Sequence, residues 1–423
     1  MRLKRCGVLL LFLLMINGLQ LNAQHTVRAI HLEGLKKTKS DYLNRFIDSR
    51  VGQLMDTLLL QADVQRLKNL NGIADASFRI DTVGKEAIIS FEMKEALTLF
   101  PILNFGGVRG NFWYQVGFND DNWRGRGHKI TAFYQNNDGR DNFSIYYKIP
   151  QFRRGRWGGS LSIMKWASIE PLFFDDATVF YDYDNFSVGL TGIYTFNRQN
   201  TLEFGMTYFV EDYGKNSRHE GIPTPGPQSL EQPKALGKLI YNRNALKYHF
   251  FYLEGLDNIA SLQTVLNLDD QSWFHIFLND TRFFKRIEEN GNLALRFRAG
   301  IATNNDTPFA PFVLDSYVNI RGSGNRIERG TAALILNAEY RHTMFEGDKI
   351  AGQVVGFSDI GSWRKPGGEL NDLVNGNTLQ FFAGGGIRII HKLAFNAIFR
   401  LDYGIDIRDT NRRGVVLGLG QYF

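Results

Sequence analysis

Residues 395–405 read FNAIFRLDYGI, a stretch in which apolar and polar side chains alternate. The odd positions are all apolar or aromatic, whereas the even positions include Arg400 and Asp402. Because successive side chains of a β-strand point to opposite faces, this pattern predicts a strand with one apolar and one charged face. Residues 292–301 and 332–341 repeat it. The repetition favours a transmembrane β-barrel with a polar lumen, since a soluble sandwich seldom places arginines so regularly opposite its core.

The first 23 residues predict a secretory signal peptide. Three basic residues precede an unbroken apolar run at 8–16, and Ala23 offers a small residue for cleavage. The run is too short to span a membrane. Cys6, the single cysteine of the sequence, lies ahead of the run, so we expect an exported chain without disulfides.

The composition agrees with a β-rich protein and excludes several other classes. The chain has 43 Gly, against a usual share of ~7%, and 34 Phe and 17 Tyr but 10 Pro. A disordered, collagen-like or coiled-coil chain is therefore excluded. After residue 16 no apolar run approaches the ~18 residues of a membrane helix. The net charge of +6 falls to +3 without the leader's three basic residues, which is too small to indicate a nucleic-acid partner.

Residues 24–96 predict one small α+β domain ahead of the barrel. A strand ends at Gly34, and Thr38 or Ser40 is expected to cap a first helix. A second helix ends at Gly72, and two alternating strands follow. The predicted element order is β-α-α-β-β.

Residues 97–423 predict an all-β barrel of about sixteen antiparallel strands. An even number is typical of single-chain bacterial barrels. Some connections are short, such as residues 197–200, whereas residues 214–234 and 303–329 form long polar loops. Short turns on the periplasmic side and long loops outside are the usual polarity of such barrels. The sequence ends on Tyr422-Phe423, and an aromatic end is typical of outer-membrane barrels.

Four motifs in this region follow one another in a characteristic order. They are Asn319-Ile320-Arg321-Gly322, residues 356–361 with Phe357 and Asp359, residues 384–388 and residues 401–404. Together with the small domain, they resemble the BamA/TamA superfamily, the bacterial surface antigen family, to which two-partner secretion transporters are related. The small domain itself resembles a POTRA domain. The resemblance runs from residue 26 to the end, and it implies that a single such domain holds clients by adding a strand to its sheet edge. The alternative is a cap that merely spaces the barrel from other proteins.

The resemblance also implies a site inside the barrel. In the family a long loop folds back into the lumen, and its arginine pairs with inward-facing carboxylates. Carried over, Arg321 and Gly322 would meet Glu339 and Asp359, with Phe357 in the same motif. A guanidinium can bond a carboxylate with two parallel hydrogen bonds, which lysine cannot.

Two departures bear on how this loop is held. Ser323 stands where the family usually has an aromatic residue, and His391-Lys392-Leu393 replaces a proline-containing turn. The alternative interpretation is that Arg321 is one more solvated loop arginine, beside Arg326 and Arg329.

The seam, where the first and last strands meet, is the second predicted site. Proline cannot donate a ladder hydrogen bond, and glycine weakens a strand interior, so a weak seam could open sideways into the membrane. The alternative is that glycine is common everywhere in this chain and that the proline marks the start of a strand. The predicted seam residues are Pro101, Leu103, Leu417, Gly418, Gly420 and Phe423.

The resemblance implies that the chain inserts or assembles proteins in the cell outer membrane, or translocates them, with its N-terminal domain in the periplasm. We expect unfolded outer-membrane or secreted clients, membrane lipids and accessory periplasmic or lipoprotein partners. One alternative is a dedicated two-partner-type secretion pore for one substrate, and another is a passive porin or structural barrel. No enzyme motif such as Gly-x-Ser-x-Gly occurs, and the eight His have no metal-ligand spacing, so no enzyme activity, cofactor or metal is predicted.

Overall fold

A computed structural model describes most of the chain. The described residues are 25–108, 111–137, 139–152, 155–174, 177–217, 223–249, 252–314, 316, 319–324, 328–374, 376, 378–392 and 397–423. The predicted signal peptide at 1–23 lies outside them.

The first unit has the element order that the sequence predicts. Its elements are β1 (Thr26–Glu33), α1 (Ser40–Leu43), α2 (Thr57–Lys68), β2 (Ile73–Val83) and β3 (Glu86–Glu95). Strand β3 lies in the middle of the sheet, parallel to β1 and antiparallel to β2. The carboxylate of Asp56 accepts hydrogen bonds from the first turn of α2 and so caps it. Neither predicted cap residue serves α1, whose N-cap is Lys39 without a side-chain bond, and α1 is a single turn.

The remaining strands form a barrel and a small hairpin. They are β4 (Leu99–Val108), β5 (Asn111–Trp123), β6 (His128–Asn137), β7 (Arg140–Ile149), β8 (Trp157–Phe174), β9 (Ala177–Asn197), β10 (Asn200–Lys215), β11 (Ser229–Asn244), β12 (Lys247–His249), β13 (Tyr252–Asn267), β14 (Trp273–Ile287), β15 (Gly291–Ala302), β16 (Phe312–Leu314), β17 (Glu328–Gly330), β18 (Ala332–Glu346), β19 (Ile350–Arg364), β20 (Gln380–His391), β21 (Ile398–Asp406) and β22 (Arg413–Leu419).

Seventeen of these strands follow one another in the order of a closed barrel, in which β22 neighbours β4. Strand β12 has three residues and pairs with the first three residues of β13. Strand β11 pairs with β13 from residue 257 onward. Among the described residues the wall therefore has sixteen full strands, and the prediction of about sixteen antiparallel strands is confirmed. The two remaining strands, β16 and β17, pair with each other apart from the wall.

The two faces of the wall have opposite chemistry. Outward side chains are large and apolar, as at Leu190, Met206 and Phe399. Inward side chains are polar but buried, as at Asn337 and Asp402. Within the described residues, no helix combines the length and hydropathy that crossing a membrane requires.

The wall is tall on one side and short on the other. Strands β8 and β9 have 18 and 21 residues, whereas β21 and β22 have 9 and 7. At about 3.3 Å per residue, this difference amounts to tens of ångströms of strand length.

The first unit rests on turns at one end of the barrel. Three ion pairs join them: Lys37 with Asp120, Arg126 with Asp41, and Arg198 with Asp48. The side chain of Asn69 also donates to the main-chain oxygen of Leu246, at 3.2 Å. The unit is thus tied to the turns after β5, β9 and β11, and it marks the end of the barrel opposite the long connections 216–228 and 303–331.

Candidate functional site

The described residues of the segment 303–331, here called the lumenal loop, fold into the barrel between β15 and β18. Ile320 at its centre is fully buried and packs against Trp363 of β19 and Phe382 of β20. The hairpin of β16 and β17 belongs to the same segment. The loop therefore occupies part of the lumen and brings its own side chains to the inner face of the wall.

Two glycines let the loop backbone touch the wall. Gly322 has a φ of +89°, and a Cβ added there would lie 2.6 Å from the carbonyl oxygen of Gly404 on β21. A Cβ added to Gly404 would lie 2.4 Å from the carbonyl oxygen of Arg321. Real Cβ atoms do not approach other atoms so closely, so this contact requires glycine on both sides.

The contact places Arg321 against Asp359 of β19. Nε of Arg321 donates to Oδ2 of Asp359 at 2.8 Å, and Nη2 donates to Oδ1 at 2.9 Å. The backbone N–H of Arg321 also donates to Oδ2, at 2.9 Å. Both side chains are 0% exposed. This bidentate, fully desolvated pair fixes both the side chain and the backbone of the loop.

The same guanidinium bonds a second carboxylate and lies between two rings. Nη1 of Arg321 donates to Oε2 of Glu339 on β18. Its Cζ lies 3.7 Å from the ring centroid of Phe357 and 4.3 Å from that of Tyr422. Cation–π contacts strengthen when the cation is desolvated, so both rings add to the hold on the arginine.

Further charges surround this pair. Nη1 of Arg388 donates to Oδ1 of Asp402 at 2.7 Å, and Nε of Arg341 donates to Oε1 of Glu339 at 2.5 Å. Nε of Arg400 lies 3.5 Å from Oδ2 of Asp402. We call this set the arginine cluster; its described members are Arg321, Arg341, Arg388, Arg400, Glu339, Asp359 and Asp402. Four arginines face three carboxylates, so removing one carboxylate leaves a larger excess of buried positive charge.

Asparagine side chains form further hydrogen bonds between the loop and the wall. Nδ2 of Asn337 donates at 2.8 Å both to the main-chain oxygen of Asn319 and to Oδ1 of Asp359. Nη1 of Arg298 donates to Oδ1 of Asn319 at 2.9 Å. At the unusual Ser323, Oγ donates to the carbonyl oxygen of Ile320 at 2.8 Å and closes the turn.

The five predicted loop-site residues lie together: Arg321, Gly322, Glu339, Phe357 and Asp359. Sequence reasoning missed Arg341, Arg388, Asp402 and Tyr422 as partners. Two of these lie in motifs that the sequence analysis quotes, but pairing them needs the register of β20 with β21, which sets Arg388 opposite Arg400 and Gly386 opposite Asp402. Nothing in the sequence pattern directs Tyr422 to the lumen.

The predicted seam is brought together only in part. Leu103 in β4 and Leu417 in β22 lie on the two neighbouring strands, and both side chains are exposed on the barrel surface. Pro101 lies within β4, not at its start. Gly418 leaves room for a lumenal side chain, since a Cβ there would lie 2.5 Å from Nη2 of Arg400.

The other two seam predictions do not hold. Strand β22 ends at Leu419, and Gly420 has a φ of +85°, which turns the chain away from the strand direction. Phe423 then packs inside the barrel against Phe284 and Ala294. Nη2 of Arg341 donates to the main-chain oxygen of Phe423 at 3.0 Å. Gly420 and Phe423 therefore belong to the surroundings of the arginine cluster.

No family model matches the chain. Several solved structures share its fold. BamA from Haemophilus ducreyi lacking POTRA domains 1–3 is 14% identical, with a TM-score of 0.54 over 93% of this chain and 83% of that one. CdiB from Escherichia coli is 10% identical, with a TM-score of 0.57 over 93% and 75%. CdiB from Acinetobacter baumannii is 11% identical, with a TM-score of 0.55 over 94% and 74%. At these identities the likeness establishes the barrel fold.

Proposed function

We propose that the chain is an outer-membrane barrel of the BamA/TamA superfamily that inserts proteins into that membrane or moves them across it. The observation that carries this proposal is the lumenal loop, held through Arg321 by Asp359 and Glu339 inside a barrel of sixteen full strands. A passive pore does not require this arrangement, because a loop can narrow a lumen without a buried, bidentate ion pair to the wall.

The apolar outer face supports a lipid environment. Side chains such as Leu190, Met206 and Leu417 are at least 65% exposed, and burying them in lipid removes their contact with water. The barrel then lies in the outer membrane, with the first unit on the periplasmic side, opposite the long connections.

The first unit is proposed to be a POTRA-like domain that holds clients at one sheet edge. The outer edge of β1 is partly covered, because Val27 donates to the carbonyl oxygen of Gln53 and Gly52 donates to that of Val27, both at 2.8 Å. Within the described residues, β2 pairs with β3 alone. Strand β2 is therefore the edge to which a client strand can add.

Hydrogen exchange on the full chain tests this assignment. Adding a peptide from a client barrel strand should slow the exchange of β2 amides, with β1 amides as the internal control. Unchanged exchange rates of the β2 amides would contradict client binding at this edge and favour a unit that only spaces the barrel from other proteins.

The short strands near the seam suggest where a client leaves or enters the wall. A membrane-spanning strand needs ~9–11 residues, and β22 has 7. Pro101 removes one donor from β4. We propose that this side of the barrel is the part that opens toward the membrane.

Depletion of the protein, followed by quantification of the outer-membrane proteome, tests the proposed function. Loss of many barrel proteins supports general assembly, and loss of one surface or secreted protein supports a dedicated transporter. An unchanged proteome, apart from this protein itself, would contradict both and favour a passive barrel.

A further inference from the structure

The first unit carries three large apolar side chains that are mostly exposed. Val51, Leu54 and Leu58 are 61%, 57% and 73% exposed, and we call them the apolar patch. They lie in one short segment that ends in the first turn of α2. Apolar side chains are more stable away from water, so a group of them in one segment marks a surface that contacts another apolar phase.

The direction of Leu58 follows from the geometry of α2. At 3.6 residues per turn, residues seven or eleven positions apart lie within about 20° of each other around a helix axis. Leu58 therefore shares a face of α2 with Gln65 and Asn69. The opposite face carries Leu60 and Leu67, which are buried in the core of the first unit.

The face of α2 that carries Leu58 is also the one that touches the barrel. Nε2 of Gln65 donates to the main-chain oxygen of Tyr248 at 3.2 Å, and Nδ2 of Asn69 donates to that of Leu246, also at 3.2 Å. Both acceptors follow β11 at the end of the barrel on which the first unit rests. This face of α2 is therefore turned toward the barrel.

A second contact places the apolar patch at the rim of the barrel. Asp48 forms an ion pair with Arg198 in the turn after β9, and its N–H donates to Oδ1 of Asp63 in the middle of α2 at 2.7 Å. Val51 follows Asp48 by three residues, which span at most ~11 Å. Leu58 precedes Asp63 by five residues, or about 8 Å along the helix. Both ends of the patch therefore lie close to this turn.

The wall next to the same turn presents aromatic side chains to the outside. Trp157 at the start of β8 and Phe196 at the end of β9 are 52% and 46% exposed. The ring of Tyr194 lies between them, with its centroid 4.9 Å from that of Trp157 and 5.0 Å from that of Phe196. Aromatic girdles mark the membrane–water interface of outer-membrane barrels. Phe196 precedes Arg198 by two residues, so this interface lies about 7 Å from the turn.

We propose that the apolar patch contacts the periplasmic leaflet of the membrane around the barrel, at the boundary between headgroups and acyl chains. The aromatic girdle sets the level of that boundary, and the helix face that carries Leu58 is turned toward it. Within residues 49–58 the charged side chains are Arg50 and Asp56, which are of opposite sign. The attraction is therefore hydrophobic and needs no anionic lipid. The inference uses the proposed position of the barrel in the outer membrane but not its action on clients.

A spin label tests this contact, because the sequence has no cysteine after Cys6 of the predicted signal peptide. The label is attached to Leu58→Cys in the full chain in phosphatidylcholine nanodiscs. Its collision rate with oxygen, which concentrates in the bilayer, is compared with its collision rate with a water-soluble nickel complex. The control is Ser77→Cys, an exposed position on the face of the sheet turned away from α2. The oxygen-to-nickel ratio should be about three- to tenfold higher for Leu58→Cys. Equal ratios would overturn the inference.

A second label position separates membrane contact from a local effect of the first substitution. With the label on Val51→Cys, the added change Leu58→Asp should move the label toward water and lower the ratio about twofold or more. Ser77→Asp adds the same charge on the other face of the unit and should leave the ratio unchanged. Both substituted positions are exposed, so both variants are expected to fold. Identical ratios in the two charge variants would contradict the contact.

The outer-membrane proteome after depletion keeps the two proposals separate. A proteome that depends on the protein, together with a water-exposed label on Leu58→Cys, would overturn the membrane contact and leave the proposed function standing. A lipid-exposed label with an unchanged proteome would support the contact and contradict the assembly function.

Discussion

The two sides of the lumen hold the same loop by different means. On the side of β18–β22, the loop tip meets the wall through backbone contacts at glycine and through the buried pair of Arg321 and Asp359. On the side of β8–β14, it leaves a cavity of about 260 Å³. On the first side the loop packs directly against the wall, and on the second an unfilled volume separates them. The loop is therefore anchored on one side and leaves unfilled space on the other.

The wall differs in the same way from side to side. The anchored side contains the short strands β21 and β22, whereas the cavity lies against the long β8 and β9. Short strands bury less surface and make fewer ladder hydrogen bonds, so they depend more on what packs behind them. The arginine cluster lies on the lumenal side of the shortest strands. It therefore stabilises this part of the wall as well as holding the loop.

Breaking the anchor should have the largest effect. Arg321→Ala leaves Asp359 buried without its guanidinium partner, which should cost ~3–5 kcal/mol of unfolding free energy. The loop should become sensitive to added protease in intact membranes. Arg321→Lys should be intermediate because it keeps the charge but loses the bidentate geometry. The control is Arg243→Ala, an exposed arginine at the base of β11. An unchanged cleavage pattern in Arg321→Ala would contradict the anchor.

Crowding the packed side should have the next largest effect. Gly404→Val places a side chain where an added Cβ would lie 2.4 Å from the carbonyl oxygen of Arg321, and should cost ~1–3 kcal/mol of unfolding free energy. Heat-induced unfolding in detergent measures the change as a lower Tm. Gly356→Ala on β19 is the matched control, since a Cβ there meets nothing within 4 Å. Equal Tm values for the two variants would show that the loop does not press on β21.

The same kind of change on the cavity side should be nearly neutral. Val265→Leu adds one methylene group toward open space, so we expect a change in unfolding free energy below ~1 kcal/mol. The same Tm assay applies, with Gly404→Val as the reference for a crowded site. A loss as large as that of Gly404→Val would mean that the cavity is not open to a larger side chain.

The smallest expected effect concerns the docking of the first unit. The hydrogen bond from Arg198 holds the pKa of Asp48 below its usual value, against an opposing effect of burial. A lowered pKa in the docked state means that the stabilisation is complete above the undocked pKa and lost as the pH falls through the docked one. Electron-spin distances between labels on the unit and the barrel should lengthen at acid pH. In Arg198→Ala this pH dependence should be reduced, and an identical profile would contradict the role of the pair.

Sequence alone predicted the strand count and the element order of the first unit, because alternation and turn residues are local signals. Glu339 could be assigned to the lumen because the same alternation fixes its face. Its pairing with Arg321 came from the motif resemblance. Arg388 and Asp402 could not be joined without the register of β20 and β21, which no local pattern contains.

Two features depended on backbone conformation and could not be predicted. The positive φ of Gly420 turns the chain so that Phe423 enters the lumen. A glycine in the sequence does not indicate whether its φ will be positive. The cavity exists because the loop leaves space against β10, β11 and β13, and its shape follows from the path of the loop. Side-chain periodicity carries no information about that path.

The most direct test of the central claim is complementation of a depleted strain, read as the level of each outer-membrane protein. The wild type and Arg243→Ala should restore the levels, and Arg321→Ala should not, although it reaches the membrane in comparable amount. Full restoration by Arg321→Ala would contradict the claim that the anchored lumenal loop is required for the assembly or translocation of other proteins.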